Sequence, residues 1–218
     1  MEISSKEVLR YLGYRDAAAD ERTISLITEL TRLFTANVIP QKVYGIWDCQ
    51  VDSSEVTLGG MTVHNQNLAQ HLEGCRRVVL LAATLGAEAD TLIRRFSVQD
   101  MEKAVIAQAV CAAMIEAYCD DITDEIAFPL DIYPTARFSP GYGDFDIVHQ
   151  KDILSILNSG RIGLTLTEGY MLIPSKSVTA IIGFAPKKEC AEGRLATVVA
   201  AGKCEGCADT QCRFREAV

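Results

Sequence analysis

The chain has 218 residues, 49% of them apolar and 23% charged, with a formal net charge of -8. That length admits one domain, at most two, with a sizeable core, and the apolar share excludes a disordered chain. The negative balance offers no basic stripe for counterion release, which argues against a nucleic-acid backbone binder, and no run approaches the ~20 apolar residues of a membrane span.

In chain order, residues Ser5–Leu12 and Ala19–Ala36 read as helices, the second with Ile24, Leu26, Ile27, Leu30 and Leu33 at helical spacing. The stretch from Lys42 to Val63 is β-rich around an Asp-Ser-Ser turn and reads as a hairpin. A short helix near Leu68–Leu72 leads to the continuous apolar strand Arg76–Gly86. Residues Ala87 to Phe96 look helical. Ser97 is the expected cap of a long helix from Met101 to about Ile126, with Asp100 completing an acidic capping box and Pro129 and Pro134 as stops. The loop Arg137–Asp144 follows, then a helix near Lys151–Leu157, a break at Gly160, and strands at Ile162–Thr167, Tyr170–Ile173 and Val178–Phe184. Helices and strands mix without strict βαβ alternation, so the expected class is α+β, with a mixed, largely antiparallel twisted sheet and packed helices. The expected division is an α+β domain over 1–187 and a cysteine-bearing tail over 188–218.

The N-terminus lacks the charged-then-apolar pattern of a signal peptide. Eight cysteines without an export signal point to a reducing, cytoplasmic setting, where thiols fill cores or bind metals. Cys49, Cys75, Cys111 and Cys119 lie in apolar segments and read as core. Cys204, Cys207 and Cys212 form a C-x2-C-x4-C run with Cys190 upstream. Two thiolates separated by two residues can aim at one ion, so zinc, an iron–sulfur cluster and redox thiols all stay open. Thr84-Leu85-Gly86 lacks the lysine and second glycine of a phosphate-binding loop and reads as a tight turn. His64 and His71, seven apart, read as one solvated helix face, and no serine–histidine pairing nominates a hydrolase triad.

The loop Arg137-Phe138-Ser139-Pro140-Gly141-Tyr142-Gly143-Asp144 is neither helix nor central strand, because proline lacks a donor and glycine permits positive φ. Such a loop keeps backbone groups available, and its arginine offers a planar fork for a carboxylate or phosphate.

Glu116 on the long helix, this loop, a short helix, and Leu166-Thr167-Glu168 followed by Pro174 occur in one order. In that order the chain resembles the activation domain of cobalamin-dependent methionine synthase, in its small free-standing form, most clearly from Ala104 to Phe184. The resemblance implies an S-adenosylmethionine site. Arg137 would pair with the ligand carboxylate, and main-chain groups of Ser139 and Gly141 would meet the adenine. Tyr142 would wall the site, and Glu116 would offset the positive charge. It also implies a role in returning inactive cob(II)alamin to methylcobalamin. The chain has no Asp-x-His-x-x-Gly cobalamin motif, so the corrinoid would belong to a partner methionine synthase or related corrinoid protein, and an electron donor protein would supply the reductant. Alone, such a chain catalyses nothing; the methyltransferase activity would be that of the complex.

Two other readings remain. An electron-transfer protein would use a metal or cluster at Cys190, Cys204, Cys207 and Cys212. A small-molecule methyltransferase would need a base near the loop, for which Asp144, Asp146 and His149 are the candidates.

Overall fold

The computed structural model describes residues 2–14, 19–130 and 132–186. Cys190, Cys204, Cys207 and Cys212, and with them the expected boundary of the tail, lie outside the described residues.

A six-stranded sheet runs β3 (Met61–His64), β2 (Glu55–Leu58), β1 (Gln41–Asp52), β4 (Arg77–Thr84), β8 (Ser177–Pro186), β5 (Ile132–Pro134). Every neighbouring pair in it is antiparallel. A two-stranded ribbon, β6 (Thr165–Leu166) and β7 (Leu172–Ile173), stands apart from it. The α+β class and the antiparallel sheet are as the sequence implies. The expected hairpin is a three-strand meander instead: Ser53 and Ser54 make the first turn, and Gly59 and Gly60, both at positive φ, make a second.

The sheet is covered on both faces, which is why β4 is apolar without alternation. Its Val79, Leu81 and Ala83 enter a core with Ile27, Leu30 and Phe34 of α2 (Glu21–Asn37) and Val110, Met114 and Ile122 of α5 (Met101–Leu130). Its Val78, Leu80 and Ala82 face the opposite core. There they meet Leu68 and Leu72 at α3 (Gln66–His71), Ile153 of α6 (Gln150–Leu157) and Phe145. Each such leucine or isoleucine stabilises the fold by about 1.5–3 kcal/mol on full burial. Helix α1 (Ser5–Tyr11) adds Val8 to the first core, and α4 (Ala87–Gln99) adds Ala89 and Ile93. The four described cysteines are buried.

Several boundaries differ from expectation for local reasons. Ser97 lies inside α4, its hydroxyl donating to the Ile93 carbonyl at 3.0 Å. Asp100 is the residue that caps α5, accepting from the Lys103 N–H at 3.2 Å. Helix α5 runs on to Leu130 with Pro129 in its last turn, so the helix ends one residue after the proline and not before it. The two late strands shorten to two residues each. His64 and His71 do not share a helix: His64 ends β3, near Glu55, and His71 ends α3.

Candidate functional site

The segment that reaches the loop is laid along β8. Strand β5 pairs with its end; then the Thr135 N–H donates to the Gly183 carbonyl at 2.9 Å, and the Gly183 N–H donates to Thr135 Oγ1 at 2.9 Å. Phe138 and Ile181 exchange both backbone hydrogen bonds, at 2.9 and 2.8 Å. Arg137 therefore sits on a backbone held along the side of β8 that faces away from β4, at the edge of the sheet. Beyond Phe138 the chain leaves β8 and closes on itself. The Tyr142 N–H donates to the Ser139 carbonyl, the Gly141 N–H to the Phe145 carbonyl and the Phe145 N–H to the Tyr142 carbonyl. Gly141 at φ +96° makes this turn possible, and a Cβ there would meet no protein atom within 4 Å.

Aromatic rings and an acidic cap fix the two ends of the loop. Phe138 lies 4.9 Å from the His71 ring and 6.0 Å from Phe145, which stacks on His149 at 5.2 Å. His71 Nε2 is 2.8 Å from the Ala136 carbonyl and 3.0 Å from Thr135 Oγ1. Burial holds the His71 pKa below its ordinary value, against the carbonyl contact, which acts the other way. Asp144 accepts from the Gln66 and Asn67 N–H groups at the start of α3, and Asp146 from the Val148 N–H. His149 Nδ1 lies 3.0 Å from Asp152.

Beside this loop is an open cleft of about 200 Å3, lined by Glu116, Arg137, Ser139, Pro140, Tyr142, Gln150, Leu172, Ser177, Val178 and Thr179. Five elements or segments meet there: α5, the loop, α6, β7 and β8. Its floor includes a buried polar pair, Thr179 Oγ1 donating to Gln150 Oε1 at 3.2 Å while Gln150 Nε2 donates to the Tyr170 carbonyl at 2.8 Å. Arg137 is 11% exposed and lies between two carboxylates of α5: Nη2 to Glu116 Oε2 at 2.5 Å and Nη1 to Asp120 Oδ1 at 2.6 Å. Burial alone would lower the guanidinium pKa, but Glu116 and Asp120 outweigh it and raise it.

Of the residues singled out by sequence, Arg137, Glu116, Ser139 and Tyr142 come together around the cleft. Gly141 shapes the loop but is not among the lining residues. Its N–H is taken by Phe145, and Ser139 offers a carbonyl that retains a second lone pair. Asp144, Asp146 and His149 make the caps and contacts above and do not line the cleft. Sequence reasoning missed Asp120, Gln150, Ser177 and Thr179. Asp120 could have been found, since it lies one helical turn from Glu116. The others are brought in by packing of α6 and β7 on β8, which no local pattern announces. Among the described residues no group of three or more His, Cys, Asp or Glu is placed to hold a metal ion. No described helix is long and apolar enough to cross a membrane.

An antiparallel sheet with helices on both faces defines an α+β fold class. No family model matches the chain, and no curated protein matches it. Among solved structures the chain is similar to one described as the crystal structure of the MetH reactivation domain bound to AdoHcy. The two share 14% identity and a TM-score of 0.61, over 93% of this chain and 90% of that one. The chain therefore has the reactivation-domain fold.

Proposed function

We propose that the chain binds S-adenosylmethionine in the Arg137–Glu116 cleft. In this role it supports reductive remethylation of cob(II)alamin held by a separate cobalamin-dependent methionine synthase or related corrinoid protein. The observation that carries this reading is an arginine and a glutamate facing one cleft, beside the Ser-Pro-Gly-Tyr loop, in the reactivation-domain fold. At about 200 Å3 the cleft is smaller than the roughly 300–1,000 Å3 common for ligand sites, so it would enclose part of the ligand only. The zwitterionic amino-acid end of the ligand matches its charges: carboxylate to Arg137, ammonium to Glu116 once Arg137 has turned part of its fork to the ligand. The Ser139 carbonyl would accept from the adenine amino group, and the Tyr142 ring would cover one side. The bound ligand supplies the methyl group; this chain orients it, while the corrinoid and the electron come from partner proteins.

The methyltransferase alternative loses support because Asp144, Asp146 and His149 are engaged elsewhere and away from the cleft. The electron-transfer alternative rests on cysteines outside the described residues.

Calorimetry tests binding. S-adenosylmethionine should bind the parent, and Arg137→Ala should weaken it by about 1.5–3 kcal/mol, the worth of a hydrogen bond to a charged group. Regain of methylcobalamin absorbance by a cob(II)alamin methionine synthase lacking its own activation domain tests the role. Equal rates with and without this chain, and no complex on a sizing column, would leave the likeness as one of fold only.

A further inference from the structure

Resting on the reading that S-adenosylmethionine occupies the cleft, we propose that the open edge of β8 at Thr179 reads the adenine through its main-chain N–H and C=O. The site then selects a 6-amino over a 6-oxo purine. The alternation of β8 sets which way each of its backbone groups points. Ile181 and Gly183 turn theirs away from β4, to Phe138 and to Thr135. Lys176, at the alternate position, turns its carbonyl the other way, where it accepts from the Leu85 N–H at 2.9 Å. The pairing of β8 with β4 runs in unbroken register from Ser177 to Phe184. Thr179, two residues before Ile181, therefore directs its N–H and C=O to the same side as Ile181 does.

Opposite Thr179 the ladder stops. Two residues on from Phe138 is Pro140, which has no N–H to give, and the chain has by then turned into its own loop. Among the described residues none bonds to either main-chain group of Thr179. Its hydroxyl is committed to Gln150 Oε1, and the Gln150 amide is oriented by the Tyr170 carbonyl, a group that can only accept. Yet Thr179 is 3% exposed and lines the cleft, and buried main-chain groups are seldom left without a partner. The open stretch, Ser177 to Thr179, is short for an added strand and suits a small flat edge with a donor beside an acceptor. Adenine has that edge. Its amino group donates to the Thr179 carbonyl and the adjoining ring nitrogen accepts from the Thr179 N–H, while the second amino hydrogen goes to the Ser139 carbonyl. This supplies the donor that Gly141 does not, its N–H being held by Phe145. A 6-oxo purine would face both carbonyls with an oxygen, a mismatch that works against it.

Titration calorimetry of the full chain with S-adenosylhomocysteine and its 6-oxo counterpart, S-inosylhomocysteine, tests the selection. Amide exchange resolved by NMR tests the edge. The 6-amino ligand should bind about ten- to hundredfold more tightly, the worth of two neutral hydrogen bonds. Without ligand, the Thr179 amide should exchange faster than those of Val178 and Ala180, which point to β4. Saturating S-adenosylhomocysteine should slow it. Thr179→Val, checked for folding in urea, should keep the preference, because the main chain carries it. Equal affinity for the two purines, or a Thr179 amide that bound ligand leaves unchanged, would overturn the inference. So would a Thr179 amide as slow as that of Ala180 without ligand, or a preference lost in Thr179→Val, which would assign it to the hydroxyl. A parent that binds neither S-adenosylmethionine nor S-adenosylhomocysteine would instead overturn the proposed function itself.

Discussion

Replacing Arg137 with methionine keeps most of the side chain's apolar length but removes the cation that lies between Glu116 and Asp120. The cost follows from their surroundings. Breaking a fully buried ion pair costs about 3–5 kcal/mol, and an exposed pair contributes about 0–1 kcal/mol. Here the arginine is 11% exposed, Glu116 29% and Asp120 50%, so solvent rescues part of each carboxylate. An intermediate loss of about 1.5–3 kcal/mol is expected for Arg137→Met, read as a lower urea midpoint with an unchanged slope. Most of that loss is the penalty of two carboxylates left facing each other at helical spacing. The triple variant Arg137→Met, Glu116→Gln, Asp120→Asn should therefore return to within about 1 kcal/mol of the parent, a coupling that neighbouring charges show and distant ones do not. Parent-like stability of the single variant, or a triple variant as unstable as the single, would refute this account of the cluster.

Gly183→Ala should destabilise by about 1–3 kcal/mol, the usual cost of overpacking, because a Cβ there would lie 2.6 Å from Cys75 Sγ, 2.9 Å from Leu72 Cδ2 and 3.1 Å from Thr135 Cγ2; thermal unfolding measures it. His71, held below its ordinary value of 6.5 by burial, is protonated first in the unfolded chain as pH falls. Its contribution is thus complete above about pH 6.5 and declines below it until the folded-state pKa is reached, so His71→Gln should flatten the fall in urea midpoint between about pH 6.5 and 5. Burial pushes the Cys49 and Cys111 thiols up, to about 11 and about 12; iodoacetamide at pH ~8 should leave both unmodified in the native protein and modify them in urea, by peptide mapping.

Helix α2 was legible because its apolar residues recur at 3.6 spacing, and β4 because six apolar residues in a row admit few other places in a mid-sized domain. The cap of α5 misled for a physical reason: Ser97 and Asp100 both carry oxygen acceptors, and only the start of the helix decides which is used. The ribbon β6–β7 was over-read, since Ile162 and Tyr170 have strand-forming side chains, but Ile162 ends a 3-10 helix and Tyr170 takes a left-handed φ of 60°. For the site, Arg137 and the turn residues stood out by composition, and Glu116 through the family resemblance. Gln150 and Thr179 did not, because their pairing depends on α6 docking across β8, a contact spanning 29 residues of sequence. The tail cysteines lie beyond the described residues and take no part in this comparison.

The double exchange of hydrogen bonds between Phe138 and Ile181 has a bearing on how the site opens. Phe138 bridges the side of β8 that faces away from β4, so its amide should exchange with solvent deuterium more slowly than those of an unpaired loop. The amides of Gly141, Tyr142 and Phe145 are bonded within their own turn and should exchange when that turn opens. The backbone that carries Arg137 is thus tied to β8, whereas the turn that carries Tyr142 is tied through its own bonds and through the Asp144 cap on α3, so the charged and aromatic walls of the cleft are held by different parts of the fold.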